Sequence, residues 1–173
     1  MSVNKVFISD RADPYIVKGD DGYYYFTASY PMYGKDDKEG YDRIILRRAK
    51  TIEGLASAEE KSVWTIAESE TAFRFIWAPE LHKIGGVWYF LFAASGSENN
   101  VWDIDCHVIK CTGTDPYNDP WVDLGKFKPY EGGEFSFGGF SLDMTYFECN
   151  GKSYVAWAQQ GGVAPRAKSS RCG

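Results

Sequence analysis

The sequence predicts an all-β chain assembled from β-propeller blades. A turn dipeptide followed by an aromatic-rich run occurs three times at near-constant spacing, and helical periodicity is weak throughout. The three runs are Asp21-Gly22-Tyr23-Tyr24-Tyr25-Phe26, Gly85-Gly86-Val87-Trp88-Tyr89-Phe90 and Asn150-Gly151-Lys152-Ser153-Tyr154-Val155. Their glycines at 22, 86 and 151 are spaced by 64 and 65 residues. Glycine reaches the positive φ that tight hairpin turns need, and aromatic or β-branched residues suit the strand that follows.

The elements follow in order within each repeat. A short strand precedes each turn, at Tyr15-Ile16-Val17, Leu81-His82-Lys83-Ile84 and Thr145-Tyr146-Phe147. A third strand is expected at Asp42–Leu46 and again at Asp105–Ile109, and a fourth near Ser62–Thr65 and Trp121–Leu124. Four strands per period of about 65 residues is the pattern of a propeller blade. Only Gly54–Lys61 has the composition for a helical turn or two. The third repeat is followed to its hairpin, ending at Ala158-Gln159-Gln160, and residues 161–173 read as an irregular tail. Length divided by period gives about 2.7 blades in 173 residues, short of the 4–8 that close a ring. Either the chain is part of a longer propeller or its tail has left the blade pattern.

Composition narrows the function classes. With 24 acidic against 19 basic residues, the net charge is −5, and no basic cluster stands out beyond Arg47-Arg48. Binding to nucleic acid requires a face that neutralises phosphates, so it is excluded. No run approaches the roughly 18 apolar residues of a membrane span. Met1–Asp10 lacks an apolar leader core, which predicts a cytoplasmic location, with Cys106, Cys111, Cys149 and Cys172 as free or buried thiols. The 17% aromatic content fits strands and equally fits sugar-stacking surfaces.

The repeat register points to the chemistry. Asp13, Ala78 and Asp143 occupy equivalent positions just before the three hairpins, where the innermost strand of each blade faces the channel. Two of the three are carboxylates, brought together across 130 residues of sequence. Paired carboxylates in a cleft are what glycosidic bond cleavage uses, one to activate water and one to assist departure of the oxygen. Trp77-Ala78-Pro79-Glu80 puts an aromatic platform beside them at Trp77, and Glu80 offers hydrogen bonds to a sugar. Taken singly, Asp13 before Pro14 is a common turn starter and Trp77 suits a core between blades. His82 and His107 read as structural, and the repeat match of Asp105 with Asp42 makes the Asp103/Asp105 pair architectural rather than a metal site. No phosphate loop or nucleophile elbow is present.

Arg11-Ala12-Asp13-Pro14-Tyr15-Ile16, Trp77-Ala78-Pro79-Glu80 and Ser141-Leu142-Asp143, in this order and spacing, resemble glycoside hydrolase family 43. The resemblance covers about residues 6–160. It implies a five-bladed β-propeller with an inverting mechanism on arabinose- or xylose-containing oligosaccharides. It casts Asp13 as general base and Asp143 as the residue that orients the acid and modulates its pKa. The general acid itself would be a Glu one blade beyond Asp143, and Glu131, Glu134 and Glu148 lie at no equivalent position. Residues 1–160 are thus expected to form a partial propeller domain, with no cofactor and no metal implied. The rival expectation is a non-catalytic carbohydrate-binding propeller, or an inactive fragment that lacks the acid.

Overall fold

The computed structural model describes residues 6–31, 40–100, 102–128, 137, 139–160 and 168–171. Its strands are β1 (Ala12–Lys18), β2 (Tyr24–Ser29), β3 (Arg43–Ala49), β4 (Lys61–Thr65), β5 (Arg74–Ile84), β6 (Val87–Ser95), β7 (Ile104–Cys111), β8 (Trp121–Lys126), β9 (Ser141–Cys149), β10 (Lys152–Gln159) and β11 (Lys168–Arg171). They form three antiparallel sheets in consecutive order, β1-β2-β3-β4, β5-β6-β7-β8 and β9-β10-β11. Each sheet is a meander of the kind that makes a propeller blade. The expected helical turn is a 3-10 turn at Glu53–Ala56, and a second follows at Ile66–Glu68.

The hairpin signals have the predicted cause. Gly85 and Gly86 both have positive φ between the paired residues Ile84 and Val87, as do Asn150 and Gly151 between Cys149 and Lys152. Two consecutive positive-φ residues define the turn whose twist matches the flanking strands. One expectation is corrected at the tail: Lys168–Arg171 pairs antiparallel with β10, from Trp157↔Lys168 to Tyr154↔Arg171. Its Lys-Ser-Ser-Arg composition carries no strand signal. The pairing follows from the unpaired ladder groups along β10, which any extended segment satisfies.

Packing follows from the two-residue period of the central strands. On β6, Phe90, Phe92 and Ala94 face the first blade and join Tyr25, Trp64, Ile76 and Leu81 in one core. Leu91, between them, turns the other way and packs with Met144, Val155 and Trp157 of the third blade. Burial on both faces is why β6 reads as a continuous apolar run rather than an alternating one. Much of the aromatic excess lies here, in the pairs Trp64–Phe92, Tyr25–Trp88 and Phe90–Trp121, with ring centroids 5.5, 5.6 and 4.8 Å apart. Each fully buried side chain of this size contributes about 1.5–3 kcal/mol. Leu55, fully buried in the first 3-10 turn, seals the far face of blade one against Phe26, Ala28 and Ile45.

Candidate active site

The first strand of each sheet lies at an edge, and β5 lies against both β1 and β9. Their contact is direct. The backbone N–H of Ala78 on β5 donates to Ser29 Oγ on β2 at 2.8 Å, and the His82 ring lies 5.3 Å from Tyr15 of β1 and 5.9 Å from Tyr146 of β9.

Asp13, Ala78 and Asp143, equivalent by sequence register, share one backbone anomaly. Their φ values are 50°, 44° and 53°, in the left-handed region that non-glycine residues seldom enter. At each, the pairing register slips: between Ala12 and Tyr15, between Trp77 and Glu80, and opposite Ala156–Ala158. These are β-bulges, which re-aim a side chain at the cost of local ladder bonds. Pro14 and Pro79 occupy two of the bulges, where a missing N–H forfeits no bond. Asp-Pro therefore marks a bulge here rather than the turn start it resembles in isolation.

The bulges bring Asp13 and Asp143 to one open cleft of about 350 Å³, lined also by Tyr41, Phe75 and Trp77. The Trp77 ring stands edge-on to Tyr41 at 6.3 Å and tilted to Phe75 at 6.1 Å, an aromatic wall beside the two carboxylates. Ser29 Oγ donates to Asp13 Oδ2 at 2.7 Å, and Ser29 is fully buried. One hydroxyl thereby ties the carboxylate of blade one to the bulge of blade two. Burial, then the charges of Asp13 and Glu80, push the Asp143 carboxyl above its ordinary value. Glu80 itself does not line the cleft. Its Oε2 meets His82 Nε2 at 2.8 Å, and its charge, after burial, also raises the Tyr15 hydroxyl to about 12.

Asp13, Asp143 and Trp77 thus come together as the register predicts, while Glu80 is turned to His82. Tyr41, Phe75 and Ser29 escape sequence reasoning. Tyr41 lies between β2 and β3, outside the hairpin register, and Ser29 lies at a register position held by Ala93 and Ala158 in the other blades. His107 is fully buried and stacked on Phe92 at 5.7 Å, and burial drives its pKa down to about 4. Cys106, Cys111 and Cys149 are unpaired thiols. Cys172, Glu131 and Glu134 lie outside the described residues, and Glu148 accepts a 2.6 Å bond from the Tyr146 hydroxyl. Among the described residues, no group of three or more His, Cys, Asp or Glu side chains is placed to hold a metal ion.

The family model of glycosyl hydrolases family 43 matches residues 3–170. The chain belongs to this family. Two curated relatives are named extracellular exo-α-(1→5)-L-arabinofuranosidases. That of Streptomyces avermitilis is 44% identical over 150 residues, covering 87% of this chain and 28% of the relative. That of Streptomyces chartreusis is 40% identical over 152 residues, covering 88% of this chain and 42% of the relative. A solved α-L-arabinofuranosidase from Lactobacillus brevis superposes with a TM-score of 0.75 at 36% identity, over 94% of this chain and 49% of that one. The sheets are accordingly blades of the five-bladed family 43 propeller, and the chain spans well under half the length of these curated relatives.

The names of the relatives also overturn the cytoplasmic expectation. Both Streptomyces enzymes are extracellular. The expectation rested on the composition of ten residues, which say nothing about where the folded domain works.

Proposed function

We propose that this chain supplies the base and the pKa-tuning carboxylate of an inverting glycoside hydrolase acting on α-L-arabinofuranosides of arabinose- or xylose-containing oligosaccharides. The observation that carries this is the meeting of Asp13 and Asp143, through matching bulges on different blades, beside the Trp77 wall. The relatives' names supply the sugar.

In this reading Asp13, oriented by Ser29, accepts a proton from water as the water oxygen bonds to the anomeric carbon. The glycosidic C–O bond breaks on the opposite face, and the leaving oxygen takes a proton from a third carboxylate. The cleft-lining residues of this chain supply two. Asp143, closed in by like charge, holds the acid in place and keeps its proton available near neutral pH. Trp77 and Phe75 bound the sugar-binding space.

Hydrolysis of aryl α-L-arabinofuranoside and aryl β-D-xyloside, beside an Asp13→Asn control, tests the reading. Turnover of the arabinofuranoside that disappears in the control, with the inverted anomer formed first by NMR, supports it. Binding of arabino-oligosaccharides without turnover is the outcome of a carbohydrate-binding propeller or of a fragment that lacks the acid.

A further inference from the structure

The Tyr41 wall has a counterpart one blade on. In blade one, the connection between β2 and β3 carries Tyr41 onto Phe75 and Trp77 at the start of β5, the next innermost strand. In blade two, the corresponding connection between β6 and β7 carries Trp102 onto Phe140, at the start of β9, with ring centroids 5.9 Å apart. Phe140 precedes Asp143 by three residues, as Phe75 precedes Ala78. Three residues of extended chain span at most about 10 Å, which keeps the Phe140 backbone within that reach of Asp143.

Trp102 is 70% exposed, and the described residues around it are tied together by hydrogen bonds. The Gly96 N–H donates to the Asp103 carbonyl at 2.9 Å, and the Trp102 N–H donates to Asn100 Oδ1 at 3.1 Å. The buried Ser95 hydroxyl lies 2.8 and 2.7 Å from the carbonyls of Ser97 and Asn100. A flat indole left to solvent, backed by Phe140 and next to the exposed Asn99 and Asn100, is a platform on which a further ring can stack.

From this placement we infer that Trp102, backed by Phe140, forms a second sugar subsite that stacks the pentose residue adjoining the one held at Asp13 and Asp143. The inference rests on the proposed function and predicts that a chain longer than one sugar is preferred. Sugar faces carry C–H groups that meet an indole ring as another apolar surface does, while their hydroxyls reach the flanking amides.

Calorimetric titration of the protein with α-(1→5)-arabinotriose and with arabinose tests it without depending on turnover. Wild type binds the trisaccharide more tightly than the monosaccharide. Trp102→Ala weakens trisaccharide binding about three- to tenfold and leaves arabinose unaffected, Trp102→Phe retains most of the gain, and Trp77→Ala weakens both. Trisaccharide affinity unchanged in Trp102→Ala but lost in Trp77→Ala overturns the subsite and leaves the proposed function standing. Absence of binding of either sugar to the wild type overturns both.

Discussion

Ser29→Ala isolates the link between the two halves of the site. In wild type the buried hydroxyl accepts the Ala78 N–H at 2.8 Å and donates to Asp13 Oδ2 at 2.7 Å. Alanine fits, because Ala93 and Ala158 fill the same register position in the other blades. The lost atoms therefore act through hydrogen bonding and not through packing. Asp13 faces an open cleft and recovers water, so most of the cost falls on the half-buried Ala78 N–H, an orphaned donor worth about 1–3 kcal/mol. Urea unfolding followed by tryptophan fluorescence reads this as a lower midpoint at unchanged slope. The second effect is on the base. A carboxylate free to turn loses its aim at the water, and misplacement of this order costs about 10²-fold. This appears in kcat for aryl arabinofuranoside, while KM changes little because no sugar contact is removed. Stability within about 0.5 kcal/mol of wild type together with unchanged kcat would refute the assignment of Ser29 as the residue that positions Asp13.

Three further outcomes follow from the charged and buried groups. Asp143→Asn abolishes turnover but raises the melting temperature at pH 7. A carboxyl raised in the folded state penalises folding once ionised, so the gain over wild type shrinks to nothing as pH falls below the unfolded value of 3.8. A variant less stable than wild type at pH 7 contradicts this. His107, lowered from 6.5 to about 4 by burial, contributes stability that is present above pH 6.5 and lost as pH falls toward 4. The loss is about 2 kcal/mol between pH 7 and pH 5. It is expected to be missing in His107→Leu, and an NMR midpoint for His107 near 6.5 would rule it out. Burial alone would raise Glu60, but its bonds to Arg11 and Arg47 outweigh that and hold it below the usual range. Glu60→Gln therefore costs about 1–3 kcal/mol at neutral pH, read by urea unfolding. The difference from wild type closes as pH drops through the Glu60 titration, and a gap that persists in acid would point to packing.

The blades were legible in the sequence because turns and strands are local. Gly85-Gly86 and Asn150-Gly151 need positive φ at adjacent residues, and the aromatic run after each turn suits a strand wherever it packs. Asp13 and Asp143 were legible for a different reason. Repetition converts equal register into equal place around an axis, so two residues 130 positions apart could be assigned to one channel. Glu80 shows where that logic stops. Register puts it on the innermost strand, but its orientation depends on His82, which is itself clamped between Tyr15 and Tyr146 of two other blades. The strand at Lys168–Arg171 carries no propensity of its own and exists because the edge of β10 offers unpaired ladder groups.

The sequence by itself determined the repeat, the all-β class, the two carboxylates and the indole beside them, since each is written in spacing or in residue type. The tertiary structure alone decided that the bulges at Asp13 and Asp143 aim into one cleft, that Ser29 ties the first of them to the bulge at Ala78, that Tyr41 and Phe75 complete the wall and that Trp102 meets Phe140. Those contacts join different blades. They arise when β6 buries one face against each neighbour, and burial at that range depends on summed packing and not on any local signal in the chain.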